Sequence, residues 1–397
     1  MNISLLEEFT DDEVKTALFQ MHPTKAPGPD GMNPLFFQYY WHIVGSNVSR
    51  AVIDYLNSRT MLSSTNLTHI TLVPKRKNPN SMSHFRPISL CNVVFKIISK
   101  VLSNKMKKIM GTIISDCQSA FVPERVITDN ILISFEILHY MKTKRRRNTS
   151  HMAIKLDMSK IYDKVEWDYL KALMLQLGFH PLWVDLVMVG ITSVSYSVLM
   201  NGVASSYILP SRGLRQGDPL SPYLFLLCSE GFTALIQKAT QTNCLHGVRI
   251  SRGAPMITHL LFADDRLLFC NASIEECQII KEILYIYEKA SGQKVNCDKT
   301  SIFFSKNTSM ERMAEIKVFL NATSLVPFEK YLGLPPIIGR GKRQAFADIK
   351  LKVQSKLSGW KGKMRIFSRR EGSFDQVYRQ SNPGICYELL YVTCWIL

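Results

Sequence analysis

The chain has 397 residues, 46% of them apolar, and Lys plus Arg outnumber Asp plus Glu by 49 to 32 for a net charge of +17. That suffices for a hydrophobic core and for more than one subdomain, and so basic a chain points to a polyanionic partner, nucleic acid first. No uncharged apolar run reaches the length of a membrane span, the acidic start "MNISLLEEFTDDEV" lacks a signal-peptide core, and the nine cysteines show no C-x-x-C or C-x-x-H spacing. A zinc site and secretion are thereby disfavoured, and reduced thiols in a nuclear or cytoplasmic setting are expected.

Thr10 and Glu13 have capping-box spacing and predict a helix running toward Met21. Two Pro and two Gly make "KAPGPDGM" (Lys25–Met32) a loop, and "FFQYYWHIV" through "AVIDYLN" reads as further helix. "ITLVPK" (Ile70–Lys75) has strand composition. Ile97, Ile98, Val101, Leu102 and Met106 have helical spacing within Phe95–Met110. Thr128–Met141 is another predicted helix, capped by Thr128 or Asp129. "KTKRRR" (Lys142–Arg147) reads as a solvated loop, with nuclear import or phosphate binding as the alternative. "AIKLDM" (Ala153–Met158) alternates like a strand, and "DYLKALMLQLGF" returns to helix. "SYSVLMNG" and "SSYILPSRG" predict a hairpin around Asn201-Gly202. "SPYLFLLCSEGFTALIQKA" is a mostly apolar helix, "LLFADDRLLF" reads as two strands about a tight turn, and "EECQIIKEILYIYEKASG" is an amphipathic helix ended by Gly292. Gly339–Arg370 carries eleven Lys or Arg against one Asp, with helical apolar spacing in its core. Such a segment suits a nucleic-acid backbone, or else a membrane surface. Helices and strands alternate irregularly, which gives an α+β class.

Asp264 and Asp265 sit between two apolar runs. Adjacent carboxylates repel, and burying them uncompensated is costly. Asp157 ends an equally apolar strand 107 residues earlier. If that strand end and the hairpin tip share a sheet, three carboxylates converge and divalent cations could neutralise them. Mg²⁺ takes carboxylate oxygens together with substrate phosphates. Two ions about 3.5–4 Å apart can then clamp the attacking and leaving oxygens of a nucleotidyl transfer. The plainer alternative is a turn pair with Arg266 as its salt-bridge partner.

"LDMSKIYDKVEWDYL", "GLRQGDPLSPYLF" and "HLLFADDRLLF" occur in order and resemble motifs A, B and C of reverse transcriptases. With "KAPGPDGMNPLFFQ", "VPKRKNPNSMSHFRPISLCNVVFKIISKVL", "QSAFVPERVITDNIL", "SGQKVNCDKTSIFFS" and "KYLGLPPIIGRGK", the chain resembles the reverse transcriptase of plant LINE-type (non-LTR) retrotransposons over residues 5 to 370. The resemblance implies a right-hand polymerase with fingers, palm and thumb, the carboxylates standing on an antiparallel palm sheet. It implies a nucleotidyltransferase adding dNTPs to a primer 3′-end with two Mg²⁺ ions, Mn²⁺ being a possible substitute. RNA template, DNA primer and target DNA are the implied partners, and no membrane is. On the matching positions Asp157, Asp264 and Asp265 would hold the metals. Tyr162 would be the steric gate against a ribose 2′-OH, which argues against an RNA-dependent RNA polymerase. Lys75 and Arg86 would meet the triphosphate, Gln216 and Gly217 the nucleotide and template, and Lys299 the pyrophosphate. Tyr331 and Gly333 match the primer grip, and Trp360 and Lys361 fall in the thumb.

The expected division is an N-terminal helical extension (1–60), fingers and palm (61–310), primer grip and thumb (311–370) and a tail unlike the family (371–397), which reads as frameshifted. The whole reads as a piece of an element's polyprotein. Three departures favour the alternative of an inactive nucleic-acid-binding remnant. Arg266 stands where relatives carry a small residue, and either pairs with Asp265 or points away from it. Ile161 replaces an Ala before the gate tyrosine, and Glu124 replaces a Gly. The tail is the third.

Overall fold

The computed structural model describes residues 1–62, 64–144, 149–296, 299–321, 331–332, 351 and 355. Four helices open the chain: α1 (Asn2–Leu6), α2 (Asp11–Phe19), α3 (Pro34–Tyr39) and α4 (Trp41–Ser58). The predicted capping box starts α2, with Glu13 N donating to Thr10 Oγ1 at 3.3 Å and Thr10 N to Glu13 Oε2 at 3.2 Å. Strands β1 (Leu67–Pro74) and β2 (Phe85–Cys91) form an antiparallel ribbon, followed by α5 (Val93–Ile113) and α6 (Ile127–Thr143). Helix α6 begins one residue before its predicted cap. Its N-cap is Val126, which makes no side-chain cap, so neither Thr128 nor Asp129 has that role.

Strand β3 (His151–Leu156) stops before Asp157, and β4 (Met158–Ser159) leaves to pair elsewhere. Then come α7 (Trp167–Gln176), α8 (Pro181–Thr192), β5 (Ser195–Met200) and β6 (Val203–Ala204). Asn201 (φ 52°) and Gly202 (φ 83°) turn β5 into β6 as their sequence predicts, since both central residues of such a turn need positive φ. The second strand is shorter than expected, because Ile208 meets Tyr196 only in an isolated bridge. The remainder is α9 (Ser221–Gln241), β7 (His259–Phe262), β8 (Asp265–Asn271), α10 (Ile274–Ser291), β9 (Lys294–Val295), β10 (Ser301–Phe304) and α11 (Met310–Phe319).

The first sheet has the order β2-β1-β5-β6, with β5 parallel to β1. The second has the order β10-β3-β8-β7 and is antiparallel throughout. Both faces of this second sheet are covered. Met152, Ile154 and Leu156 of β3 and Leu268 and Cys270 of β8 face Phe232 of α9 and Ile280, Ile283 and Tyr287 of α10. Ala153, Leu267 and Phe269 face Ile137, Leu138 and Met141 of α6. Two-sided burial explains why these strands read as apolar runs. A fully buried Leu or Ile contributes about 1.5–3 kcal/mol, so the sheet end is held by many such contacts. A third cluster joins α2, α4, α5, α7, α8 and the start of α9, which packs the N-terminal helices against the later ones.

Candidate active site

Strands β7 and β8 meet in a two-residue turn, with Phe262 opposite Asp265 and Ala263-Asp264 between them. Asp264 is exposed at the tip, and Asp265 is half-buried at the first position of β8. Strand β3 lies beside β8 with Leu156 opposite Arg266, so Asp157 leaves the sheet at the same end. A span of 107 residues is thus closed by one strand pairing, as the alternation of "AIKLD" and "ADDRLLF" requires. Burial raises the Asp265 carboxyl above the ordinary carboxylate range; Lys155 opposes this, and Asp264 and Asp157 add to it. The three carboxylates therefore feel one another.

Two ammonium groups stand among them. Lys155 Nζ is 3.7 Å from Asp265 Oδ1, and Lys299 Nζ is 3.5 Å from Asp157 Oδ2. Among the described residues no three His, Cys, Asp or Glu side chains are gathered into a ready-made metal cage. The donor set nonetheless fits a hard divalent cation: carboxylate oxygens at a solvent-facing sheet end, repelling one another and neutralised by lysines. Lys299 was expected from the resemblance. Lys155 was not, although the same alternation puts it on the face of β3 that continues to Asp157.

Arg266 does not pair with Asp265. Neighbouring strand residues face opposite sides, and Arg266 turns toward α9 and α10, where it is fully buried. Its Nη2 donates to the Tyr287 hydroxyl at 3.2 Å and to Gln293 Oε1 at 3.0 Å. The guanidinium lies 4.9 Å from the Phe232 ring centroid and 5.0 Å from that of Tyr287. Its Nε and Nη1 have no partner among the described residues. Arg266 is therefore not the salt-bridge partner of the turn, a place that Lys155 takes at Asp265.

Tyr162 stands beside this end. Its carbonyl accepts from Leu214 N at 2.7 Å, its ring lies 5.4 Å from that of Phe225, and its hydroxyl is pushed up to about 12 by burial and then by Asp264. Ile161 packs against both large core clusters. The carbonyl of Gln216 accepts from Ser89 N of β2 at 3.0 Å, which seats the turn carrying Gly217 (φ +106°) on the strand that carries Arg86. Below it Arg215 is buried, its guanidinium 4.1 Å from the Phe95 ring centroid and hydrogen-bonded to Gly190 O and Asn66 Oδ1. Arg86 is exposed on β2, opposite Val73 of β1. Lys75 closes the ribbon, with Nζ donating to Ser83 O at 3.0 Å, and its charge helps to lower the Asp163 carboxyl that burial raises.

Tyr331, expected in the primer grip, is buried. Its side chain is 2% exposed among Leu260, Leu267 and Phe269, so it anchors the chain under the sheet. Burial pushes its hydroxyl upward, and Asp265 adds to that shift. Gly333, Trp360 and Lys361 lie outside the described residues, as do most of the expected thumb, the tail 371–397 and Arg145–Arg147 of the basic run. Glu124 takes φ +66°, the left-handed backbone that favours the glycine it replaces. Sequence reasoning also missed Gln118 and Asn130, which brace the hairpin from outside. Both fall in quoted motif segments, but no local spacing singles them out.

The reverse transcriptase (RNA-dependent DNA polymerase) family matches residues 73–334. The chain is 27% identical over 367 residues to an uncharacterized 149 kDa protein of transposon TX1 from Xenopus laevis, covering 91% of this chain and 27% of that protein. It is 25% identical over 376 residues to the retrovirus-related Pol polyprotein of the type-2 retrotransposable element R2DM from Drosophila melanogaster, covering 91% of this chain and 34% of that one. A 67-residue stretch is 54% identical to an uncharacterized mitochondrial protein of Arabidopsis thaliana, 17% of this chain and 55% of that protein. The chain spans about a third or less of the length of the two long relatives. The family match takes in all three carboxylates, the tyrosine beside them and the turn seated on β2, and with it the chain belongs to the reverse transcriptase (RNA-dependent DNA polymerase) family.

Proposed function

We propose that this domain copies an RNA template into DNA by adding dNTPs to a primer 3′-end. The observation that carries this is the convergence of Asp157, Asp264 and Asp265 at one sheet end, beside Tyr162 and Lys299. Reverse transcriptases use divalent metal ions, and the three aspartates would hold two Mg²⁺, or Mn²⁺ in their place. Bound there, the ions supply a clamp for the attacking 3′-oxygen and the leaving pyrophosphate. Asp264 stands in the turn and is exposed, while Asp265 opens β8 and is half-buried, which suits one outer and one inner oxygen donor. Lys155 and Lys299 neutralise the carboxylates until then.

Tyr162 would narrow the space at the nucleotide sugar and exclude a 2′-OH, its ring stiffened by Phe225. Lys75 and Arg86 would meet the triphosphate from the β1–β2 ribbon, a point charge and a planar fork for phosphate oxygens. Gln216 and Gly217 would border the nucleotide and template, and Lys299 would give a proton to the departing pyrophosphate. The net charge of +17 supports binding of template, primer and target DNA. No described helix is long and apolar enough to cross a membrane. The Arabidopsis match supports a plant element, and the unpaired cysteines support a nuclear or cytoplasmic setting.

Purified protein offered a primed RNA template and Mg²⁺ should extend the primer with dNTPs and not with rNTPs. Asp264→Ala should abolish extension. A folded, template-binding protein that never extends the primer would refute the activity. Extension surviving Asp264→Ala would refute the site.

A further inference from the structure

Strand β7 is the outer strand of its sheet, and its edge is taken by the segment 117–120. Leu261 N donates to Cys117 O at 2.7 Å, and Leu261 O accepts from Ser119 N at 3.2 Å and from Asn130 Nδ2 at 2.7 Å. Asn130 also accepts from Ser119 Oγ at 2.6 Å, which ties α6 to the same segment. Arg125 stiffens the loop from behind, its Nη1 donating to Ser115 O at 2.6 Å and to Gln118 O at 2.7 Å.

From this bracket the fully buried Gln118 side chain reaches the turn. Its Oε1 accepts from Ala120 N at 2.9 Å and from Ala263 N at 3.1 Å. Two backbone N–H donors on one atom fix which end of the amide is oxygen, because the reversed amide would set NH₂ against both. Ala263 is the residue before Asp264 and holds φ +52° without being glycine. That backbone costs an alanine about 1–2 kcal/mol and persists only where its surroundings impose it.

We propose that Gln118 is a positioning residue for the candidate active site: by holding the Ala263 amide it imposes the left-handed turn and so sets where the Asp264 carboxylate stands. The role of Asp264 rests on the proposed function; the conformational claim does not. Without the amide acceptor, Ala263 relaxes toward negative φ and Asp264 swings with it. Glycine at 263 pays no such conformational penalty and keeps the turn without help. The mechanism therefore has a signature that ordinary destabilisation lacks, which is rescue of a Gln118 variant by Ala263→Gly.

The test compares wild type, Gln118→Leu and Gln118→Leu with Ala263→Gly in the full chain. Hydrogen exchange at the Ala263 amide should be slow in wild type and faster by about tenfold or more in Gln118→Leu. Mn²⁺ affinity, read by electron paramagnetic resonance, and primer extension should each fall about 10–100-fold, the scale for a misplaced reactive group. The double variant should recover most of the Mn²⁺ affinity and extension while its 263 amide still exchanges fast. Gln118→Met, similar in length and with only a weak thioether acceptor in place of the carbonyl oxygen, replaces Gln118→Leu if that variant does not fold. Unchanged exchange at 263, or a double variant worse than the single one, overturns the proposal. Wild-type protein with a protected 263 amide but no extension and no Mn²⁺ binding refutes the proposed function and leaves the positioning claim standing on exchange alone.

Discussion

Replacing Arg266 with methionine should stabilise the protein. The guanidinium is fully buried, and no carboxylate pairs with it among the described residues. It gains two charge-assisted hydrogen bonds, about 1.5–3 kcal/mol each net, and contacts with two aromatic rings, each about 1–2 kcal/mol when desolvated. Against this stand a desolvation cost of several kcal/mol for the ion and two orphaned donors, Nε and Nη1, at about 1–3 kcal/mol each. Its acceptors do not become orphans when it leaves, since the Tyr287 hydroxyl donates to Gln293 Oε1 at 2.9 Å. Methionine fills much of the same space without charge. The balance favours Arg266→Met by up to about 3 kcal/mol, in line with apolar replacement of buried charges elsewhere, which amounts to roughly 6 °C in melting temperature at most. Arg266→Ser should fall below Arg266→Met, because it leaves a cavity beneath β8. Urea unfolding followed by far-UV circular dichroism, with calorimetry, measures all three proteins. A loss of about 1 kcal/mol or more in Arg266→Met would show that the rings and Gln293 outweigh the desolvation cost, and the account of this residue would be wrong.

Glu124→Gly should add about 0.5–1 kcal/mol in the same urea assay, because glycine adopts φ +66° freely and the glutamate side chain is exposed; no gain would mean that the loop is unstrained. His259 is 5% exposed and is lowered from 6.5 to about 4 by burial and then by Arg266. A base whose folded value is depressed supports the fold while neutral, and that support is lost as pH falls from its unfolded value toward its folded one. Stability should thus drop by about 2–3 kcal/mol between pH 6.5 and 4.5 on account of this residue. His259→Phe should shallow the acid side of the urea-midpoint profile, and an unchanged slope would count against the assignment. Lys155 is the chief group opposing the upward push of burial on Asp265. Removing it should carry that carboxyl higher still, so Lys155→Met should move the acid limb of primer extension upward by about half to one pH unit while Lys155→Arg leaves it in place.

The carboxylate end of the palm sheet was legible because strands have a period of two. Alternation along "AIKLD" and "ADDRLLF" sets which side chains share a face, and a two-residue turn leaves Asp264 nowhere but the tip. The same period left the direction of Arg266 open, since either face of β8 was available to the core until α9 and α10 were placed. Helix α8 was missed for a related reason: "PLWVDLVMVGIT" is apolar nearly all round and carries no amphipathic signal, and burial of seven of its residues accounts for that composition. Gln118 is separated from Ala263 by 145 residues, and its function depends on one amide meeting one strained turn. A glutamine on a loop has no pattern from which such a meeting could be read. The burial of Tyr331 was not legible, because a motif match says where a residue sits along the chain, whereas its accessibility depends on the depth of Leu260, Leu267 and Phe269 around it.

The departures from the family pattern bear on this last point. Glu124 strains an exposed loop, Arg266 places a cation in the core behind the sheet, and Ile161 packs against two core clusters. The two whose cost can be traced act on folding free energy; neither sets a charge against Asp157, Asp264 or Asp265. A copy of this domain that drifted through such changes would lose function first by unfolding. Stability is only about 5–15 kcal/mol for a typical domain, so a buried cation and a strained loop together are a sizeable fraction of it. Melting should therefore be measured before activity in any comparison of Glu124→Gly, Arg266→Met and the wild type. If the stabilised double variant extends primers at a temperature where the wild type is unfolded, and both have equal rates per folded molecule at lower temperature, the departures burden the fold and spare the chemistry. Unequal rates per folded molecule would place at least one of them in the chemistry after all.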